Sequence, residues 1–494
     1  MSILEAAPVQ PIASADDDEI ARLHAAFAAQ RAAFAADRDP SLAKRHERLG
    51  ALIGMMLANR ERIAAAMAAD FGAHPAPASD LIETLGVVGR AQYVMEHLEA
   101  WMRPDPRDMD AALFGTATAH VQYQPKGVIG NIVPWNFPFD LSVGPMVEML
   151  AAGNRGIVKP SEYTPACADL LAEMIAATFD PDLVTVAVGG LDLARAFSSV
   201  AWDHLLYTGS PNVGRQVMQA AAANLTPVTL ELGGKCPAIL TPGSVTTANV
   251  ESVIGTKIIK NGQMCVSVDY ALVPRAELET FVDEAKAFMA RAAPDYSHGD
   301  ECTGMISTRH LDRVETMLHE ARDRQSRIVT LQDDDEVDRT TRRMPISLVV
   351  DPASDLRLMQ EEIFGPILPV VPYDDLDAAI GRINAGERPL GLYVFGDDPA
   401  VTNGVLVATT SGGAAVNACA VQSALPSMGF GGSGMSGMGR HHGIEGFREF
   451  SNQRGVVVRG QGDHIDAFYA PYAKAAGLVQ AVLGGAAAES GSEH

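Results

Sequence analysis

Cysteine is scarce. The chain has 5 in 494 residues, none in a Cys-x-x-Cys pair or a Cys/His cluster at zinc-ligand spacing, which excludes a disulfide scaffold and a zinc-ligand framework. Positive charge is also short, with 38 Lys and Arg against 61 Asp and Glu and a formal net charge of −23. Such a surface repels phosphate backbones and anionic lipid, so neither nucleic acid nor membrane is expected as a partner. Long apolar runs are missing too. The longest stretch without an acidic or basic residue, Pro399 to Gly439, carries nine glycines among Ser, Thr, Asn and Gln, so it lacks the apolar span of a membrane helix. The opening MSILEAAPVQPIASADDDE has no basic region leading into an apolar core, so no signal peptide is read there. These absences together predict a reducing, cytoplasmic setting.

What is present is enough for a large core. Hydrophobic residues make up 47% and charged residues 20% of a length that predicts two or three domains. Residues 1–18 read as a flexible arm, Asp333-Asp334-Asp335-Glu336 as a solvated loop, and Gly485 to His494 as a disordered end. Leu49, Leu52, Ile53, Met56 and Leu57 form a helical stripe. From Tyr123 on, short β-branched runs alternate with helical stretches. The runs are Gly127–Val133, Gly156–Val158, Val184–Val188, His204–Tyr207 and Val228–Leu230. Thr164-Pro165, followed by Leu170, Leu171, Met174 and Ile175, reads as a capped helix start, and Ser210-Pro211, followed by Val213 and Val217, repeats the device. A second series runs from Pro237 to Asn417, with strands at Ala271–Val273, Ile346–Val350, Leu392–Phe395 and Ala414–Val416. The pattern predicts an α/β protein with parallel sheets, divided near Gly234–Pro237.

A few residues stand out chemically. Cys265 opens a new segment after Gly262, where a thiol can be partly exposed, although a single cysteine is more often inert. Cys167, Cys302 and Cys419 have no such context. Glu231 closes an apolar strand ahead of two glycines. That position suits a general base and equally a carboxylate paired with a lysine. Asn136, held in PWNFP between prolines and aromatics, is either a rigid amide donor for an oxyanion or an Asx-turn residue. Gly209-Ser210-Pro211-Asn212-Val213-Gly214 lies at a strand-to-helix turn where phosphate could bind. His441-His442, adjacent in sequence, do not suggest a metal site.

In order along the chain stand PWNFP (134–138), KPSE (159–162), TGSPNVG (208–214), LELGGK (230–235), GQMC (262–265) and EEIFGP (361–366). From about residue 20 to residue 460 this set resembles the NAD(P)-dependent aldehyde dehydrogenase family. Phe139-Asp140-Leu141, Ser161-Glu162-Tyr163-Thr164-Pro165, Arg388 to Phe395 and FGGSGMSGMGRHHG (430–443) look most similar to the class 3 and fatty aldehyde branch and to bacterial coniferyl aldehyde dehydrogenases. The resemblance implies an aldehyde dehydrogenase-like α/β fold. A Rossmann-type NAD-binding domain would span 19–108 and 126–236 and a catalytic domain 237–445. A small β oligomerisation element would span 109–125 and 446–462, with a tail at 463–494 and a homodimer as the assembly.

It also implies a chemistry. Cys265 attacks the aldehyde carbon, the Asn136 amide and the Cys265 N–H hold the oxyanion, and Glu231 activates water to hydrolyse the thioester. For the cofactor it implies Lys159 and Glu162 at the adenosine ribose and Gly209, Ser210 and Val213 near the pyrophosphate. Glu362 would take the nicotinamide ribose and Phe364 would lie beside the ring, with Trp135 and Leu232 also in contact. A carboxylate at Glu162 favours NAD, with NADP possible. No metal is implied. Trp135, Phe137 and Phe139 suggest an apolar tunnel for aromatic or medium-chain aldehydes, although plain packing explains them equally. Acyl transfer to coenzyme A and a non-catalytic structural role on the same fold are the rival readings. The chain departs from the family pattern at Lys260, where asparagine is usual, at Cys236 after LGGK, at Val268 and at Gly429.

Overall fold

The computed structural model describes residues 16–332, 336–480 and 483. The arm expected over residues 1–15, the acidic loop over 333–335 and the end from Gly485 to His494 lie outside the described residues. Contact density separates two compact units. One holds the chain up to Leu98 together with Pro125–Phe450, and the other holds Glu99–Gln124 with the chain from Ser451 on.

The larger unit contains two sheets. In the first, the order is Gly437–Met438, Val228–Leu232, His204–Gly209, Val128–Ile132, Arg155–Lys159, Val184–Val186, all parallel except the short strand Gly437–Met438. The second runs Arg327–Thr330, Ser347–Val350, Ile367–Tyr373, Tyr270–Pro274, Pro237–Leu240, Gly391–Phe395, Gly413–Val416, with only Arg327–Thr330 antiparallel. Strands enclosed by crossover helices read as continuous apolar runs, and Val128–Ile132, Tyr270–Pro274 and Gly391–Phe395 are buried throughout. The chain leaves one sheet at Leu232 and enters the other at Pro237. The smaller unit carries a three-stranded sheet, Asp105–Arg107, Thr118–Pro125, Ser451–Val458.

Several local expectations shift. The arm expected to reach residue 18 is already helical at Asp17, in Asp17–Ala36. Asp16 accepts hydrogen bonds from the N–H groups of Gly190 and Leu193, capping the helix Leu191–Ser198, whose own cap position is a glycine without a side chain. In Leu42–Ala58 the stripe buries Leu49, Leu52 and Met56, whereas Leu57 is exposed and Met55 takes a core place. Val217 is buried while Val213 is exposed. The strand expected to reach Val188 ends at Val186.

The helix Pro165–Thr178 starts where expected, but the Thr164 side chain does not cap it. Its hydroxyl donates to the Ser161 carbonyl. The free N–H groups of Ala166 and Cys167 instead donate to the two carboxylate oxygens of Asp70, at 3.1 and 2.9 Å. A tertiary carboxylate has replaced the local cap, adding favourable charge at the helix N-terminus. Asp70→Ala should therefore destabilise the protein by about 1 kcal/mol in denaturant titration, whereas Thr164→Val should cost clearly less. The reverse ranking would show that Thr164 is the true cap.

Candidate active site

Parallel pairing collects the site. Glu231 is the penultimate residue of Val228–Leu232, Gly209 the last of His204–Gly209 and Lys159 the last of Arg155–Lys159. Trp135 and Asn136 follow Val128–Ile132 by one short turn. Because these four strands are neighbours with Glu231 opposite Thr208 and Ile132 opposite Lys159, their carboxyl ends form one rim. That rim is where open α/β sheets bind ligands.

Cys265 reaches the site from a different element. The helix Thr247–Ile258 ends in a tight turn in which Lys260 and Asn261 both take left-handed backbone angles, φ 49° and 54°. Gln263 pins the loop that carries the thiol. Its amide donates to the carbonyls of Lys260 and Gly304 at 2.8 and 3.0 Å and accepts from the Ile306 N–H at 2.9 Å. Farther along, the Tyr393 hydroxyl donates to the Val266 carbonyl at 2.6 Å, and the Cys236 thiol to the Cys265 carbonyl at 3.3 Å. Of the five cysteines Cys265 alone is partly exposed.

Asn136 is buried, and its amide donates to the Gln263 carbonyl at 3.3 Å, tying the PWNFP turn to the cysteine loop. Glu231 is also buried, and among the described residues neither carboxylate oxygen has a hydrogen-bond partner. The lysine that might have paired with it does not. Lys235 is hydrogen-bonded to the Asp269 carboxylate and to the carbonyls of Leu358 and Glu361.

Burial holds the Glu231 carboxyl well above the usual range, with Arg440 opposing and Glu449 reinforcing the shift. Burial also pushes the Cys265 thiol up to about 12, and the nearby Glu362 and Glu231 carboxylates add to it, while the N–H groups of Cys265 and Val266 pull the other way. Glu362 rises to about 8, from burial first and then from Asp269. Thiol and two carboxylates are thus close enough to sense each other in a site short of positive charge.

The remaining residues line the same rim. The Glu362 carboxylate lies against Gly233, where an added Cβ would sit 2.1 Å from Oε2. Only glycine allows this approach. Phe364 takes φ 51° and meets the edge of Trp135 at 5.3 Å between centroids, and Trp135 touches His310 at 5.1 Å. Lys159 donates to the Pro160 carbonyl at 2.9 Å and to the half-exposed Glu162 at 3.2 Å. The Ser210 hydroxyl accepts from the Val213 N–H at 3.4 Å, opening the helix Pro211–Ala222. Leu232 has its side chain in the core of the first sheet. Phe137 and Phe139 are buried, as are Asn136 and Glu231.

Two contributors had no signal in the sequence. His310, against Trp135, and Glu83, paired with Lys260, come from elements far apart along the chain, and only the fold brings them here. Among the described residues no group of three or more His, Cys, Asp or Glu could hold a metal ion, and no helix is long and apolar enough to cross a membrane.

A model of the aldehyde dehydrogenase family matches residues 1–456. The chain belongs to the aldehyde dehydrogenase family. It is 41% identical over 450 residues to a probable coniferyl aldehyde dehydrogenase of Caulobacter vibrioides, covering 90% of this chain and 93% of that protein. To the coniferyl aldehyde dehydrogenase of Pseudomonas sp. it is 39% identical over 447 residues, covering 90% and 92%. Among solved structures, an aldehyde dehydrogenase of Mycobacterium tuberculosis complexed with NAD+ matches with a TM-score of 0.79 at 28% identity, covering 90% of this chain and 91% of that one. This aldehyde dehydrogenase is accordingly an oxidoreductase that acts on aldehydes and uses NAD(P).

The residues of the rim fit that cofactor. The Gly233 cradle, the capped helix start at Ser210 and an acidic, cation-poor centre suit a dinucleotide with a positively charged ring. In the protein alone the high thiol pKa sets a test. Alkylation of Cys265 by iodoacetamide, followed by peptide mass analysis without cofactor, should rise about tenfold per pH unit from pH 7 to 10. A plateau below pH 8 would contradict the electrostatics described.

Proposed function

We propose that Cys265 is the nucleophile, Glu231 the deacylation base and Asn136 the side-chain oxyanion donor of a hydrolytic aldehyde dehydrogenase. The observation that carries the reading is Glu231, a buried carboxylate without a hydrogen-bond partner among the described residues, near the one partly exposed thiol of the five. Desolvation without compensation is costly, and a raised pKa is what a base working near neutrality needs.

The chain's own groups divide the work. Glu231 accepts the Cys265 thiol proton, and the sulfur adds to the aldehyde carbon. The resulting oxyanion receives hydrogen bonds from the Asn136 amide and the Cys265 N–H. Covalent attachment fixes the reacting carbon, turning the oxidation into an intramolecular step. NAD(P), when bound, supplies the hydride acceptor that converts thiohemiacetal to thioester. Glu231, having released the thiol proton to solvent, then takes a proton from water as the water oxygen attacks the acyl carbon, and the thiolate leaves.

Lys159 and Glu162 would hold the adenosine ribose, Gly209, Ser210 and Val213 the pyrophosphate, and Glu362 the nicotinamide ribose. Phe364, Trp135 and Leu232 would contact the cofactor. Glu162 beside Lys159 favours a free 2′-hydroxyl over a 2′-phosphate, hence NAD over NADP. The relatives named coniferyl aldehyde dehydrogenases support an aromatic, phenylpropenyl aldehyde as substrate. The edge strand Ser451–Val458, with Val457 and Val458 exposed, supports a homodimer contact through the small sheet. Free, unpaired cysteines suit the cytoplasm.

Two outcomes check this. In rapid mixing, Glu231→Gln should give a burst of NADH followed by slow turnover. Equal slowing of both phases would remove its role in deacylation, and relief of the slow phase by coenzyme A with an acyl thioester product would favour the acylating rival. Across coniferyl, benzyl and hexyl aldehydes, kcat/KM should be highest for coniferaldehyde by at least about tenfold, about 1.4 kcal/mol in the transition state. A preference for the aliphatic aldehyde would overturn the substrate assignment.

A further inference from the structure

Lys260, a departure from the family pattern in the loop that carries the nucleophile, is completely buried, and so is Glu83, to which it is paired. Its ammonium donates to a Glu83 oxygen at 2.5 Å and to the backbone carbonyl of Asn136 at 2.5 Å. It lies 4.0 Å from the centre of the Phe137 ring and 5.4 Å from that of Phe71, a favourable placement for a desolvated cation. The other Glu83 oxygen accepts from the N–H groups of Phe139 and Asp140 at 3.0 and 2.8 Å. One ion pair therefore grips the turn 136–140 by a carbonyl at one end and by two N–H groups at the other.

The partners come from unusual backbone. Glu83 stands on the π-helical segment Ser79–Gly86, a local geometry found often at functional sites. Lys260 holds a left-handed conformation two residues ahead of Gly262. Replacing such a pair by apolar residues is frequently neutral or stabilising, so its presence asks for a geometric purpose. Across the same junction the Asn136 side chain reaches back to the Gln263 carbonyl. Turn and cysteine loop are thus cross-linked twice, by Lys260 to the Asn136 backbone and by the Asn136 amide to the loop.

We propose that Lys260 and Glu83 are positioning residues that hold the Asn136 amide in register with Cys265, acting on the acylation step through Asn136. The inference rests on Asn136 being the oxyanion donor, and the test separates the two. Acylation is read as the NADH burst rate, and cofactor affinity by fluorescence titration of NADH. Lys260→Met should slow the burst 10- to 100-fold and leave NADH affinity within twofold. In an Asn136→Ala background, which is itself about 100-fold slower, the same substitution should cost less than threefold. Glu83→Gln keeps an acceptor for Phe139 and Asp140 while removing the charge. It should reproduce the Lys260→Met pattern and provides the measurement if Lys260→Met does not fold. If Asn136→Ala is slow but Lys260→Met and Glu83→Gln stay within threefold of the native burst, or if the losses multiply, the positioning role is overturned and the oxyanion assignment stands. An Asn136→Ala burst within threefold of native would overturn both.

Discussion

Parallel hydrogen bonding between Val228–Leu232, His204–Gly209, Val128–Ile132 and Arg155–Lys159 is the constraint on which this enzyme depends. Strands that run the same way must end on the same side, so residues about a hundred positions apart in the chain, Asn136 and Glu231, share one rim. The crossover helices bury the strands from both faces, which keeps the rim rigid and its side chains dry. Dryness then determines the chemistry. A carboxylate at the end of such a strand loses its water without gaining a partner, and a thiol beside it resists ionisation.

The centre is consequently unfinished electrostatically. Glu231 and Glu362 lie close to Cys265, and the lysines around them are engaged elsewhere: Lys235 with Asp269, Lys159 with Glu162, and Lys260 with Glu83. Each of those ion pairs arranges backbone around the site. Asp269 also receives the Ile363 N–H at 3.0 Å, fixing the segment that carries Glu362 and Phe364.

Much of this was legible in the residue order. The β-branched runs marked five strands of the first sheet and four of the second to within about two residues but missed Pro237–Leu240, Ile367–Tyr373 and Arg327–Thr330 of the second, the Ser210-Pro211 device marked a true capped helix start, and the glycine pair after Glu231 marked a close approach. Thr164 misled because a local cap and a tertiary one read alike in sequence, and Asp70 supplies the second. Phe137 and Phe139 stayed open to two readings because an aromatic lining a tunnel and one filling a core have the same composition signature. Glu83 and His310 left no trace, since their roles depend on which distant segment they meet.

The order of residues by itself determined the alternation of strands and helices and the family, and it pointed to the thiol, carboxylate and amide proposed for the chemistry. These come from local periodicity and from motifs that are contiguous in the chain. Only the tertiary structure decided that Glu231 would lack a lysine partner, that Lys260 would turn inward to Glu83 and the Asn136 carbonyl, and that the thiol would be pushed so high. Desolvation and pairing depend on distances between segments far apart in sequence, and those distances exist only once the sheets have formed.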